Sequence, residues 1–200
     1  MMELWHAIVL GIVQGFTEFL PISSSGHLVL TGELLGVGMD SHSSDGITFA
    51  VAVHLGTLLS VLIYFHRRLI AMTVGIFSTK FNIHHKTVLL LIVATIPAVI
   101  FGLTLKDQIK SAFESAVLVS CLLIVTGAVL LLPRLFRRAK AAQENTGEMT
   151  LVGSIVMGIA QAFAILPGIS RSGSTIATGM LAKINPSKAA EFSFFMAIPA

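Results

Sequence analysis

Gln14 to His27 reads QGFTEFLPISSSGH, and this stretch decides how the rest of the chain is read. An apolar run over residues 4–20 carries Gln14 and Glu18 and stops at Leu20-Pro21. Proline has no N–H and disfavours helix in the residue before it, so the helix ends there. Ser23, Ser24 and Ser25 are candidate caps for a new helix from about Gly26 to Leu35. That helix is about 15 Å long at 1.5 Å per residue, half of a hydrocarbon core of about 30 Å. Two short helices joined by a polar turn predict a re-entrant hairpin whose irregular backbone is buried in protein or lines a cavity.

Composition sets the class. Of 200 residues, 54% are hydrophobic and only 12% charged, against about 25% charged in soluble domains. The chain therefore reads as an integral membrane protein, embedded over nearly its whole length. Its net charge of +3 comes from basic residues beside apolar runs, as topology signals do, and not from a nucleic-acid patch. The single cysteine, Cys121, lies in an apolar run and excludes a disulfide framework. The first residues, MMELWH, lack the basic region and cleavage site of a signal peptide.

Three full spans follow the first hairpin, at Ile47 to Phe65, Thr87 to Leu105 (with a kink expected at Pro97) and Ser115 to Leu132. The segment 66–86 between the first two, with His66, Arg67, Arg68, Lys80, His84 and His85, reads as a linker. Lys106 to Glu114 is short and charge-balanced, and Arg134, Arg137, Arg138 and Lys140 lead into a polar linker. The positive-inside rule places 66–86 and 134–150 in the cytoplasm, and the loop 36–46, with no Lys or Arg, outside. The first hairpin is then expected to open to the outer face.

From Leu151 the pattern restarts. Gln161 to Thr175 reads QAFAILPGISRSGST. Gly11, Ile12 and Gln14 match Gly158, Ile159 and Gln161, while Ser25-Gly26 and Thr31-Gly32 match Ser172-Gly173 and Thr178-Gly179, all at an offset of 147. This is an internal repeat. Three spans separate the hairpins, so the second copy is expected to be inverted, and broken helices in inverted repeats usually mark a binding site. The fold class expected is an all-α polytopic membrane protein with an inverted-topology repeat and two re-entrant helix hairpins. Residues 1–140 form the first repeat and 141–200 the start of the second. The offset puts partners of the spans at about 194–279, so the chain reads as a fragment or a shortened protein.

The ionisable groups lie where a membrane segment should have none, and such groups are expensive in hydrocarbon and usually functional. Gln14 and Glu18 share a helix face. Glu18 is a candidate metal ligand or general acid/base, and the Gln14 amide oxygen suits a hard cation such as Mg²⁺ or Ca²⁺. His27 is a candidate base or nucleophile, and Ser24 a candidate nucleophile beside it. In the second turn Ser170 is the expected cap, and the first-turn N–H groups form an anion site. Arg171 suits phosphate bidentately, with Ser172, Ser174 and Thr175 as further donors. Ser23 and Ser25 are donors in the first turn. His54 reads as a packed intramembrane histidine, and Lys183, Lys188 and the arginines at 66–68 and 134–140 as topology or helix-end charges. An acid, a histidine, clustered hydroxyls, a metal-binding pair and an arginine turn, all at membrane depth, suit hydrolysis of a lipid-anchored phosphate. The rival reading is a transporter or flippase of a lipid phosphate or other anion.

These residues resemble the undecaprenyl-diphosphate phosphatase family, also called the bacitracin-resistance protein family. The resemblance rests on Gln14-x-x-x-Glu18, on the turn Pro21 to His27, and on PGISRSGST at Pro167 to Thr175. It implies an enzyme that hydrolyses undecaprenyl diphosphate to the monophosphate carrier lipid and phosphate, aided by Mg²⁺ or Ca²⁺. It also implies a multi-pass protein of the bacterial plasma membrane that serves peptidoglycan synthesis, with membrane lipids and an isoprenyl diphosphate as partners, homo-oligomerisation left open and no nucleic acid. It carries over Glu18, Ser24, His27, Ser170, Arg171 and Thr175 as site residues. Gln14 is the neutral option in its motif.

Overall fold

A computed structural model describes residues 2–37, 44–78, 80–139 and 147–199. These form ten helices among the described residues: α1 (Leu4–Phe19), α2 (Ser24–Leu34), α3 (Ser44–Tyr64), α4 (His66–Ile76), α5 (Ile83–Thr104), α6 (Lys106–Phe113), α7 (Ala116–Ala139), α8 (Leu151–Phe163), α9 (Arg171–Leu181) and α10 (Pro186–Met196). α5 and α7 are long and apolar enough to cross a membrane, and α3 joins them if the bent α3–α4 pair is one span. The chain is an all-α polytopic membrane protein.

The first break falls where the proline requires it. α1 ends at Phe19, Leu20 is extended, and α2 begins at Ser24, capped by Ser23. α8 ends at Phe163 and α9 begins at Arg171, capped by Ser170. Each short pair packs on itself, α1 on α2 and α8 on α9.

The segment 66–86 is not the plain linker expected. His66–Ile76 forms α4, bent by 73° from α3 at Phe65. The basic trio after Phe65 ends the apolar run, and the chain turns aside there. Asn82 then ties α4 to α5: its Nδ2 donates to the Gly75 carbonyl at 3.0 Å, and its Oδ1 accepts from the His84 and His85 amides. The charge-balanced segment 106–114 likewise folds into α6. α5 runs through Pro97 as one element and α7 through Pro133. The loop residues 38–43, the linker residues 140–146 and Ala200 lie outside the described residues.

α5 and α8 make the most extensive helix contact. A side chain at Gly158 would meet the Ala94 backbone, so glycine sets how closely the two axes approach. Around this crossing Leu90, Ala94, Met157, Ile184, Ala189, Phe192 and Met196 form the buried core. Ile184 reaches it from the turn after α9, which Asn185 closes by donating its amide to the Gly147 carbonyl at 3.1 Å. α7 packs against α9 and α2 together, which brings the two turns side by side.

Candidate functional site

The i, i+4 spacing of Gln14 and Glu18 is used directly: Gln14 Nε2 donates to Glu18 Oε2 at 3.0 Å. The same carboxylate oxygen accepts from Ser24 Oγ at 2.5 Å, across the Leu20–Ser23 turn. Ser23 holds the turn in a conformation that is rare for a residue with a side chain, with φ 68° and ψ 94°. Three contacts support it. Its hydroxyl accepts from the Gly26 amide, the hydroxyls of Ser23 and Ser25 are 3.3 Å apart, and His27 Nδ1 donates to its carbonyl at 2.7 Å.

The second turn is built on Gly168, whose φ of 97° lies in the region that favours glycine. A Cβ there would also lie 2.5 Å from the Val119 carbonyl oxygen. Thr126 of α7 braces this turn from below. Its hydroxyl donates to the Gly168 carbonyl at 2.7 Å and accepts from the Ser170 amide at 3.0 Å. Ser170 Oγ accepts from the Gly173 amide at 3.0 Å and caps α9.

The turns meet at glycine. A Cβ on Gly26 would lie 3.0 Å from the Gly168 Cα, and one on Gly173 would lie 2.8 Å from the Pro21 carbonyl oxygen. Ser172 Oγ donates to the Leu20 carbonyl at 3.3 Å. Arg171, the first residue of α9, then reaches the acid of the first pair: its Nη2 donates to Glu18 Oε1 at 2.5 Å. Glu18 thus receives Gln14 and Ser24 on one oxygen and Arg171 on the other.

Beside this cluster lies a cavity of about 510 Å³. Its polar lining includes Glu18, Ser23, Ser24, Ser25, Ser170, Arg171 and Ser172, and its apolar lining Leu55, Leu58, Val61, Ile165, Ile169 and Phe194. Four expected residues do not line it. Gln14 is buried with its Nε2 on Glu18, and its Oε1 has no partner among the described residues. His27 faces the Ser23 carbonyl. Thr175 is buried, with its hydroxyl between the Arg171 carbonyl and the Ser193 hydroxyl, and Ser174 is buried on the same helix. Among the described residues no three His, Cys, Asp or Glu side chains cluster as a metal cage.

Three contributors escaped the sequence reading, one of them Thr126 of α7, which braces the second turn. His54 and Thr57 of α3 line the cavity. His54 did carry a signal, being an ionisable group inside an apolar span, but its packed reading fitted equally well. Thr126 gave none, since a threonine in an apolar helix most often bonds its own backbone. Gln161, at the offset of 147 from Gln14, is also buried, and neither polar atom of its side chain has a partner among the described residues.

The family described as bacitracin resistance protein BacA matches residues 7–200, which include both turns and every residue of the cavity wall. The chain belongs to the BacA family. A protein of Gemmatimonas aurantiaca named undecaprenyl-diphosphatase is 45% identical over 99% of this chain and 73% of its own length. Proteins of the same name from Methylobacillus flagellatus and Methanosphaera stadtmanae are 42% and 39% identical, covering 98% and 100% of this chain and 72% and 75% of their own lengths. Within the BacA family, then, this chain carries both turn motifs on one cavity.

Proposed function

We propose that the protein is an integral-membrane phosphatase that hydrolyses undecaprenyl diphosphate to undecaprenyl phosphate and phosphate. One observation carries the reading most directly: the ion pair between Glu18 and Arg171 joins two separate turns beside a cavity lined by both polar and apolar side chains. A diphosphate on an isoprenyl chain likewise combines a charged head with an apolar tail. The family and the named relatives point the same way.

In the proposed mechanism the head group enters beside Arg171 and exchanges with Glu18 for its guanidinium. Arg171 and the first N–H groups of α9 then hold the charge that develops on the terminal phosphoryl group. The exchange leaves Glu18 free to take the proton of Ser24, whose hydroxyl already donates to it. Ser24 Oγ attacks the terminal phosphorus, and the bond to the bridging oxygen breaks. The electron pair leaves on the lipid monophosphate, and the phosphoryl group stays on Ser24 until water releases it. Ser24 is favoured over His27 as nucleophile because it lines the cavity and His27 does not. His27 instead holds the Ser23 carbonyl, and so the turn. Thr175 serves similarly by tying the start of α9 to α10.

The donor set fits a divalent cation. The Gln14 amide faces the Glu18 carboxylate through Nε2 and leaves its buried Oε1 unpartnered among the described residues, so turning the amide over would set two hard oxygens side by side, and Mg²⁺ commonly takes one or two such ligands plus substrate phosphate. Bound there, Mg²⁺ or Ca²⁺ would neutralise phosphoryl charge. The first turn is assigned to the outer face of the bacterial plasma membrane, because Arg67, Arg68 and Lys80 follow α3. Labelling of Lys80→Cys in sealed cells by an impermeant thiol reagent would reverse that orientation.

The decisive experiment measures phosphate release from farnesyl or undecaprenyl diphosphate by the purified protein in detergent, with Mg²⁺ and with excess chelator. Release that needs the cation supports the reading. Binding of the lipid without phosphate release would favour a carrier instead.

A further inference from the structure

In α3, His54 is the one ionisable side chain between Thr48 and Ile63, and it lines the cavity that Glu18, Ser24 and Arg171 share. Its Nδ1 lies 2.8 Å from the Ala50 carbonyl oxygen. A carbonyl only accepts, so Nδ1 carries hydrogen and the other ring nitrogen, Nε2, holds the lone pair of the neutral ring. Nothing among the described residues hydrogen-bonds Nε2.

The proposed reaction leaves one proton without a carrier. Glu18 takes the Ser24 proton in the first half, and it sits on the Ser24 side of the phosphorus because it binds that hydroxyl. Water that releases the phosphoryl group attacks in line, from the side opposite the Ser24 oxygen. The base for that water is then a second group, and besides Glu18 the one titratable proton acceptor among the described lining residues is His54.

We propose that His54 Nε2 is the general base of the second half-reaction. The oxygen of a water molecule forms the new bond to phosphorus, and one of its protons passes to Nε2. The bond from phosphorus to Ser24 Oγ breaks, its electron pair returns to Oγ, and Glu18 gives back the proton it took. Inorganic phosphate leaves, and the imidazolium of His54 releases its proton to solvent. The charged groups facing this cavity are Glu18 from α1 and Arg171 from α9. Among the described residues α6 brings Phe113, α10 and its C-cap bring Phe194 and Ala197, and α4 brings no lining residue.

This inference rests on Ser24 as nucleophile, and one experiment separates the two. Purified parent, Ser24→Ala, His54→Ala and His54→Gln proteins are mixed with farnesyl diphosphate labelled in its terminal phosphate, quenched on the millisecond scale and assayed for farnesyl phosphate and protein-bound label. The His54 variants are expected to complete a first turnover and then slow by about 10²–10⁴-fold in steady state, the range for loss of a general base. Label should accumulate on the protein at Ser24. His54→Gln keeps a polar side chain in the wall and guards against a folding defect in His54→Ala. Parent-like steady-state turnover in either variant would overturn the assignment. So would loss of the first turnover together with the label in folded His54→Gln. Parent-like hydrolysis by Ser24→Ala would instead remove the nucleophile on which the inference stands.

Discussion

The turns at 20–23 and 164–170 are variants of one device built to different tolerances. Both follow a short apolar helix, both contain Leu-Pro, and both end in a serine that caps the next helix. The second is anchored from outside. Gly168 relieves its backbone strain, and the buried Thr126 of α7 bonds it at two points. The first is held mainly by its neighbours in sequence, with one bond from outside, Ser172 Oγ to the Leu20 carbonyl. Ser23 carries a positive φ without being glycine, and its support comes from Gly26, Ser25 and His27 close by in sequence. The rigid turn carries the permanent charge, Arg171, and the locally supported turn carries the groups that exchange protons, Glu18 and Ser24. A phosphate clamp gains from being fixed before substrate arrives, whereas a proton acceptor and its donor need to separate and re-form their bond in each cycle.

If that division holds, the largest effect lies at the chemical turn. Glu18→Gln keeps the shape and removes the base, so turnover is expected to fall about 10²–10⁴-fold with little change in thermal unfolding. Parent-like turnover would mean that the acid only pairs with Arg171. The next effect lies at the rigid turn and is one of folding. Gly168→Ala forces both a left-handed backbone and a Cβ 2.5 Å from the Val119 oxygen, which together amount to roughly 3 kcal/mol or more. Gly26→Ala meets Leu123 and the Gly168 Cα at 3.0 Å without backbone strain, and should be affected less. Equal losses in chemical denaturation would erase the contrast between the turns. The smallest effect is expected from Thr126→Val, which orphans the Gly168 carbonyl and the Ser170 amide. It should destabilise by about 2 kcal/mol and raise KM more than it lowers kcat, since the Arg171 platform loosens while Glu18 and Ser24 are untouched.

Much of this was legible in the chain. Pro21, followed by serine and glycine, fixed where the first short helix breaks, whereas α8 ends at Phe163, ahead of Leu166-Pro167, and the helical spacing of Gln14 and Glu18 put them on one face as found. Ser170 as cap and Arg171 as the first helical residue followed from the serine-rich turn alone. What escaped notice depended on partners distant in sequence. Thr126 reaches the turn from 42 residues away, and no local pattern announces such a bond. His54 was visible as a histidine in a span, but only the docking of α3 beside the turns distinguishes a cavity residue from a packed one. The helix α4 was missed because charged residues next to an apolar run read as a loop, whereas a basic amphipathic helix turned away from the span satisfies the same composition.

The central claim is that the two turns act as one site, with Arg171 of the second serving the chemistry of the first. Phosphate release from farnesyl diphosphate by Arg171→Lys tests it most directly. Lysine keeps the charge and loses the planar fork that suits two phosphate oxygens. The expected result is a fall in kcat of about 10²-fold or more in a protein that unfolds at the parent temperature. Turnover equal to the parent would make Arg171 a structural charge and would leave the second turn outside the site.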